Sequence, residues 1–129
     1  MLNINRFLPT HKSDYQSVNI LKTLDIKEIE GISFELLKWV QDINWPIAEP
    51  ICQLLIPLDM KIISEIKIIL QSGDLEWVDN CLFHIVRFLS EDAILELKDE
   101  LLRIANSPTA GEIEIELNLL SKKILKKIT

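Results

Sequence analysis

Cys81 and His84 stand three residues apart, a spacing that brings two side chains onto one face of a helix, and Trp77 and Phe88 extend that face. A thiol next to an imidazole is the start of a nucleophile–base pair or half of a zinc site. The first needs a lowered thiol pKa and a third group to orient the imidazole. The second needs four ligands, and only Cys52, approaching from another helix pair, is at hand to extend the set. The segment carrying the pair is largely apolar, so both thiols read as core residues and His84 as a core or rim histidine. A Cys52–Cys81 disulfide requires Cα atoms within about 7 Å, which spacing leaves open. Asp42 and Asp74 are a second pair with chemical potential, as carboxylates for acid–base work. They lie 32 residues apart, each at a point where one helix gives way to the next, and there a carboxylate serves as a cap. The chain has no Gly-rich phosphate loop, no H-E-x-x-H and no nucleophile elbow. No catalytic residue, metal or cofactor is therefore expected. If the chain is instead an enzyme or a small-ligand-binding protein, its site is expected between helical hairpins near Cys81 and His84.

Charge narrows the partners. The 129 residues carry 14 Lys and Arg against 20 Asp and Glu, a net charge of −6, and Lys122, Lys123, Lys126 and Lys127 crowd into the last eight positions. The remaining body is acidic enough to repel phosphate backbones and anionic lipid, so nucleic acid is an unfavoured partner and a membrane is not expected. A basic protein is attracted. The four lysines read as a solvated helix end, with binding of nucleic acid or an acidic partner as the alternative. Two cysteines, no apolar run near 20 residues and no signal-peptide pattern at the N-terminus make the cytoplasm the expected compartment.

These residues must be positioned by helices. With 48% hydrophobic and 26% charged residues, 3 Gly and 5 Pro, the chain is neither disordered nor fibrous. Apolar residues recur with helical period: Ile29, Ile32, Leu36, Leu37, Val40; Ile62, Ile63, Ile66, Ile69, Leu70; Leu75, Val78, Leu82, Ile85, Val86, Leu89; Ile94, Leu97, Leu101, Ile104; and Ile113, Leu117, Leu120, Ile124. Ser13-x-x-Gln16, Asp25-x-x-Glu28 and Thr109-x-x-Glu112 fit capping boxes, and Ser90 precedes two acids suited to a helix start. Pro46 and Pro108 fit first-turn positions, Gly73 fits a helix stop, and Gly31 falls inside a helix. The alternation Glu112-Ile113-Glu114-Ile115-Glu116-Leu117 has the period of a strand, yet such a strand has nothing to pair with, so a helix is expected there. The spacing predicts seven helices, near 14–23, 27–41, 45–56, 60–71, 75–89, 91–105 and 110–127, with short, antiparallel connections.

A repeat of 32 residues runs through them. Asp42-Ile43-Asn44-Trp45 is followed by Asp74-Leu75-Glu76-Trp77, then by Asn106-Ser107-Pro108 at a third junction, and Leu37, Ile69 and Leu101 keep step. Two helices per period predict a single all-α domain over 1–129: a right-handed α-solenoid of antiparallel helical hairpins, with junctions near 42–46, 74–77 and 106–109. Asp or Asn at each junction is expected to cap the incoming helix, and each tryptophan to bury its ring within its hairpin.

Trp39-Val40-Gln41-Asp42-Ile43-Asn44-Trp45-Pro46, Ile104-Ala105-Asn106-Ser107-Pro108-Thr109-Ala110-Gly111-Glu112 and the upstream Leu8-Pro9 and Asp14 resemble a bacterial family of HEAT-like helical proteins, domain-of-unknown-function family 5071. The resemblance runs from about Leu8 to Lys127. It weakens after Asp74, where relatives tend to be more aromatic and this chain has Val78, Asp79 and Asn80. It implies a helical-repeat fold and carries no activity. The leading expectation is a non-enzymatic module that binds a protein or peptide, for instance an immunity-type protein masking a basic toxin. The junction residues Asp42, Asn44, Trp45, Asp74, Trp77, Asn106, Thr109 and Glu112 are the candidate binding positions.

Overall fold

The computed structural model describes residues 4–129, and every regular element among them is helical. Ten α-helices follow in order: α1 Tyr15–Leu21, α2 Ile26–Glu30, α3 Ser33–Leu37, α4 Ala48–Leu55, α5 Ile63–Leu70, α6 Leu75–His84, α7 Glu91–Glu96, α8 Lys98–Asn106, α9 Ala110–Glu114 and α10 Leu117–Leu125. Turns of 3-10 helix extend several of them, the longest being Ile56–Ile62 between α4 and α5. These pieces fall within the seven expected segments, because burial periodicity sees through a local break that leaves both halves facing the core.

The breaks are where expectation and structure part. Gly31 does not lie inside a helix; it ends α2, and Ile32 turns the chain into α3. The 112–117 alternation is neither a strand nor one continuous helix. Glu116 takes left-handed backbone angles (φ 64°, ψ 27°), closing α9 and starting α10 in a new direction. Ile113 and Ile115 are consequently 53% and 42% exposed, so Ile113 does not belong to the buried stripe. Pro46 and Pro108 each precede a helix's capping residue rather than occupying its first turn.

Two helix starts also differ from expectation. Asp14, not Ser13, caps α1: its carboxylate accepts from the amides of Thr10 (3.0 Å) and Ser17 (3.1 Å) and from the Ser17 hydroxyl (2.7 Å). A charged acceptor at the positive end of a helix outcompetes a neighbouring hydroxyl. The Thr10 and Ser17 bonds hold the Asp14 carboxyl down at about 2. Asp25 sits at the start of α2 without a capping bond from its side chain. The other two starts form as expected, Ser90 accepting from the Ala93 amide and Thr109 exchanging bonds with Glu112.

The predicted stripes otherwise lie in one continuous core, and Leu37, Ile69 and Leu101 are all wholly buried within it. Three helical groups follow one another along the chain: α2–α4, α5–α6 and α7–α10. Within them, α3 packs on α4, α5 on α6, and α8 along α10. Between them, α6 packs on the turn at Lys38–Val40 of the first group, and α10 packs on α6. The 3-10 segment Ile56–Ile62 touches α2 on one side and α7 on the other. Its Asp59 is held at φ 51°, ψ −114°, and its carboxylate accepts from both the amide (2.8 Å) and hydroxyl (2.6 Å) of Ser90, tying this strained turn to the start of α7.

Candidate functional site

The three junctions that the 32-residue repeat aligns differ in construction. Asp74 caps α6, accepting from the Trp77 amide at 3.1 Å. Asp42 does not cap a helix: it accepts from the Asn44 amide at 2.9 Å in a tight turn, and α4 begins only at Ala48. Asn106 is the exposed last residue of α8, and Thr109 does the capping at this junction. The reason is loop length: only where the chain enters the helix directly can the first side chain reach back to its orphan amides. The tryptophans diverge likewise. Trp45 is half-buried and meets Trp39 edge-on with ring centres 5.6 Å apart. Trp77 is 8% exposed and leaves its own hairpin to pack beside Phe34 of the first group.

There Trp77 helps to finish another helix. Its indole N–H donates to the Leu37 carbonyl at 2.9 Å, and the Asn80 amide donates to the carbonyls of Val40 (2.9 Å) and Gln41 (3.3 Å). The last carbonyls of a helix have no partner within it. Those at the end of α3 and its 3-10 extension are satisfied from α6, some 40 residues on, and the interface between first and second groups is filled.

Moved on by 32 residues, Trp77 and Asn80 become Thr109 and Glu112, and the end of α3 becomes the end of α5. Here the interface is open. A cleft of about 600 Å³ separates Leu70, Gln71 and Gly73 at the end of α5 from Asp99, Glu100 and Arg103 on α8 and from Thr109 and Glu112. A threonine replaces an indole, and the volume is left to solvent. Glu112 is nearly fully buried, and its carboxylate is engaged on every side. Oε1 accepts from Arg103 Nη1 (3.0 Å) and the Thr109 amide (2.8 Å), and Oε2 accepts from Arg103 Nη2. The Arg103 bonds, with those of Thr109, hold the Glu112 carboxyl below its ordinary range against the opposing effect of burial. Arg103 itself is half-exposed at the cleft wall. With that pair internally satisfied, Asp99 and Glu100 are the unpaired charges at the rim among the described residues. The cleft thus offers an apolar recess with an acidic edge.

Of the candidate positions, Thr109 and Glu112 line this cleft, Asp74 and Trp77 lie at the start of α6, and Asp42, Asn44 and Trp45 form a separate turn. Asn80, Asp99, Glu100 and Arg103 are functional positions that sequence reasoning missed. A signal for Asn80 exists: it follows Trp77 by three, as Glu112 follows Thr109. The cysteines and His84 form no second site. Cys52 and Cys81 are buried free thiols. Burial, with Glu49 adding to it, pushes Cys52 up to about 12, and burial, with Cys52 next, drives Cys81 well above its usual value. That is opposite to the shift a nucleophilic thiolate needs. Burial lowers the pKa of His84, whose ring meets Phe83 edge-on. No group of three or more metal-ligating side chains assembles among the described residues, and none of their helices is long and apolar enough to cross a membrane.

A family model matches residues 7–125, nearly the whole chain, and with the all-helical fold it decides the assignment. The chain belongs to the family described as Domain of unknown function (DUF5071). No curated protein matches it. The matched span takes in both strings that carried the resemblance, Trp39–Pro46 and Ile104–Glu112, but membership of this family assigns no chemistry to them.

Proposed function

We propose that this member of the DUF5071 family is a non-enzymatic interaction module, built as a right-handed HEAT-like α-solenoid, and that it receives a basic segment of a partner protein in the cleft between its second and third hairpins. The layered reading is supported by the packing order, in which the second helical group lies against both the first and the third. An immunity-type protein that masks a basic partner is the concrete form, and the net charge of −6 suits it. The observation that carries the reading is the open cleft itself. An interface sealed by Trp77 and Asn80 one repeat earlier is left at about 600 Å³ here, with Asp99 and Glu100 unpaired at its edge. Aliphatic lining from Leu70 and Leu75 accommodates the stem of a lysine or arginine, and the acidic rim takes its head. The buried thiol of Cys81, with its pKa raised, weighs against the competing enzyme reading.

The test is retention of proteins from native lysate on the immobilised domain, beside the Asp99→Lys/Glu100→Lys double variant. A basic protein held by the wild type, released by salt and lost from the variant is the expected result. Retention of nothing above an empty matrix at any salt, or equal retention by both forms, would overturn it.

A further inference from the structure

A second concavity lies between α6 and α10, with the opposite charge. Two adjoining recesses, of about 570 and 260 Å³, share Phe83, Leu120 and Lys123 and so form one groove. Its walls leave large apolar side chains in water: Leu119 is 53% exposed, and Phe83 and Ile115 are each 42% exposed. Such a cluster in a recess is unusual for a surface with no partner. The charged residues lining the groove are five bases (Arg87, Lys122, Lys123, Lys126, Lys127) against two acids (Asp79, Glu116), in a chain that is net acidic.

The bases differ in readiness. Lys127 is engaged, donating to the carbonyls of Arg87 (2.7 Å) and Leu89 (3.1 Å). Lys122, Lys123 and Lys126 are exposed and take part in no ion pair among the described residues. Arg87 is pre-positioned: its guanidinium lies 4.0 Å from the Phe83 ring centre and 4.5 Å from that of Phe88, and its Nε donates to the Phe83 carbonyl. Both terminal amino groups stay free, in the fork geometry that matches a carboxylate. Holding the arginine before a ligand arrives reduces the entropy lost on binding.

We infer that the α6–α10 groove binds an acidic amphipathic helix of a partner protein, its apolar face on Phe83, Ile115 and Leu119 and its carboxylates on Arg87, Lys122 and Lys123. An amphipathic helix laid in an apolar groove is a recurring mode of recognition, and the two helices flanking this groove leave no strand edge for an extended peptide. The recess is concave, so a bilayer surface cannot reach its floor. Asp79 and Glu116 stand in the walls, and the remaining lining is mostly aliphatic, which suits carboxylates spaced along a helix better than a continuous phosphate backbone. This surface is distinct from the acidic cleft, and either can fail without the other.

The experiment is a fluorescence-anisotropy titration with a designed helical peptide of about 14 residues, roughly 21 Å long, carrying Leu and Phe at i, i+3, i+4 and i+7 and Glu elsewhere. Its comparators are a scrambled peptide of equal charge, the same pattern with Lys for Glu, a single-stranded oligonucleotide and anionic phosphatidylserine vesicles. Saturable, salt-sensitive binding of the acidic peptide is expected, with about tenfold weakening by Leu119→Asp and, separately, by Lys122→Glu/Lys123→Glu. These side chains are exposed, so circular dichroism and the thermal midpoint should match those of wild type. Amide chemical-shift changes in the wild type should centre on Phe83, Arg87 and Leu119, independently of any variant. Equal binding of the scrambled peptide, tighter binding of oligonucleotide or vesicles, or no response to the variants would each overturn the inference. Preference for the Lys peptide, lost on Asp99→Lys/Glu100→Lys, would overturn it while upholding the acidic cleft as a binding site.

Discussion

The end of α3 and the end of α5 are the same place in a 32-residue repeat, yet one is sealed and the other open. At the first, Trp77 and Asn80 come from the following hairpin to fill space and complete three carbonyls. At the second, Thr109 and Glu112 stand in the matching positions and turn their bonding onto their own helix start and Arg103. The α5 end completes itself locally, with Ser72 Oγ donating to the Ile69 carbonyl at 2.6 Å and Gly73 turning the chain at φ 81°. A helix end that satisfies its own carbonyls needs nothing from the next layer, and that layer is then free to stand off and leave a cleft. Stability and openness are thus divided between two copies of one structural position.

The contrast can be broken most severely at Trp77. Trp77→Ala should cost about 3–5 kcal/mol in urea unfolding, since it empties a buried site and strips the Leu37 carbonyl of its indole donor. Trp45→Ala should cost clearly less, because its ring is half-exposed and meets mainly Trp39. Equal losses would show the two junctions to be energetically alike after all. Next comes Asn80→Ala, expected to cost about 1–3 kcal/mol by leaving the Val40 and Gln41 carbonyls without their side-chain donor. The smallest effect is at Glu112, where the repeat switches chemistry. Its carboxyl titrates below the ordinary 4.5 because Arg103 and Thr109 bond the charged form. A depressed carboxyl pKa contributes stability that is complete above the unfolded-state value and fades as pH falls through the folded one. Unfolding free energy, followed downward from neutral pH, should therefore decline below about 4.5, and Glu112→Gln should flatten part of that decline. An unchanged profile would mean that the Arg103 pair contributes nothing.

Much of this fold could be read from apolar spacing. The stripe from Ile29 to Val40 and the stripe from Ile94 to Ile104 are buried as their periodicity requires. The breaks could not be read, because Ile32, Asp59 and Glu116 are residues that ordinarily continue a helix or strand, and their backbone angles are imposed by tertiary packing. The candidate site was half legible. Thr109-x-x-Glu112 was visible as a capping box, and the structure forms it. Arg103 was invisible as its partner, since a pairing across nine residues depends on how α8 and α9 meet. The two tryptophans misled for a related reason: equal spacing places equivalent backbone, but the surroundings of a ring depend on which neighbour is large enough to meet it.

Glu116 is one residue with a left-handed backbone, and the last helix leaves it in a direction that continuous winding would not allow. The placement of Lys122, Lys123 and Lys126 beside Phe83 is therefore decided at a pivot outside the hydrophobic core. Drift at this single position would swing a whole charged wall without disturbing a buried atom, so lineages can retune what this surface greets while leaving the scaffold intact.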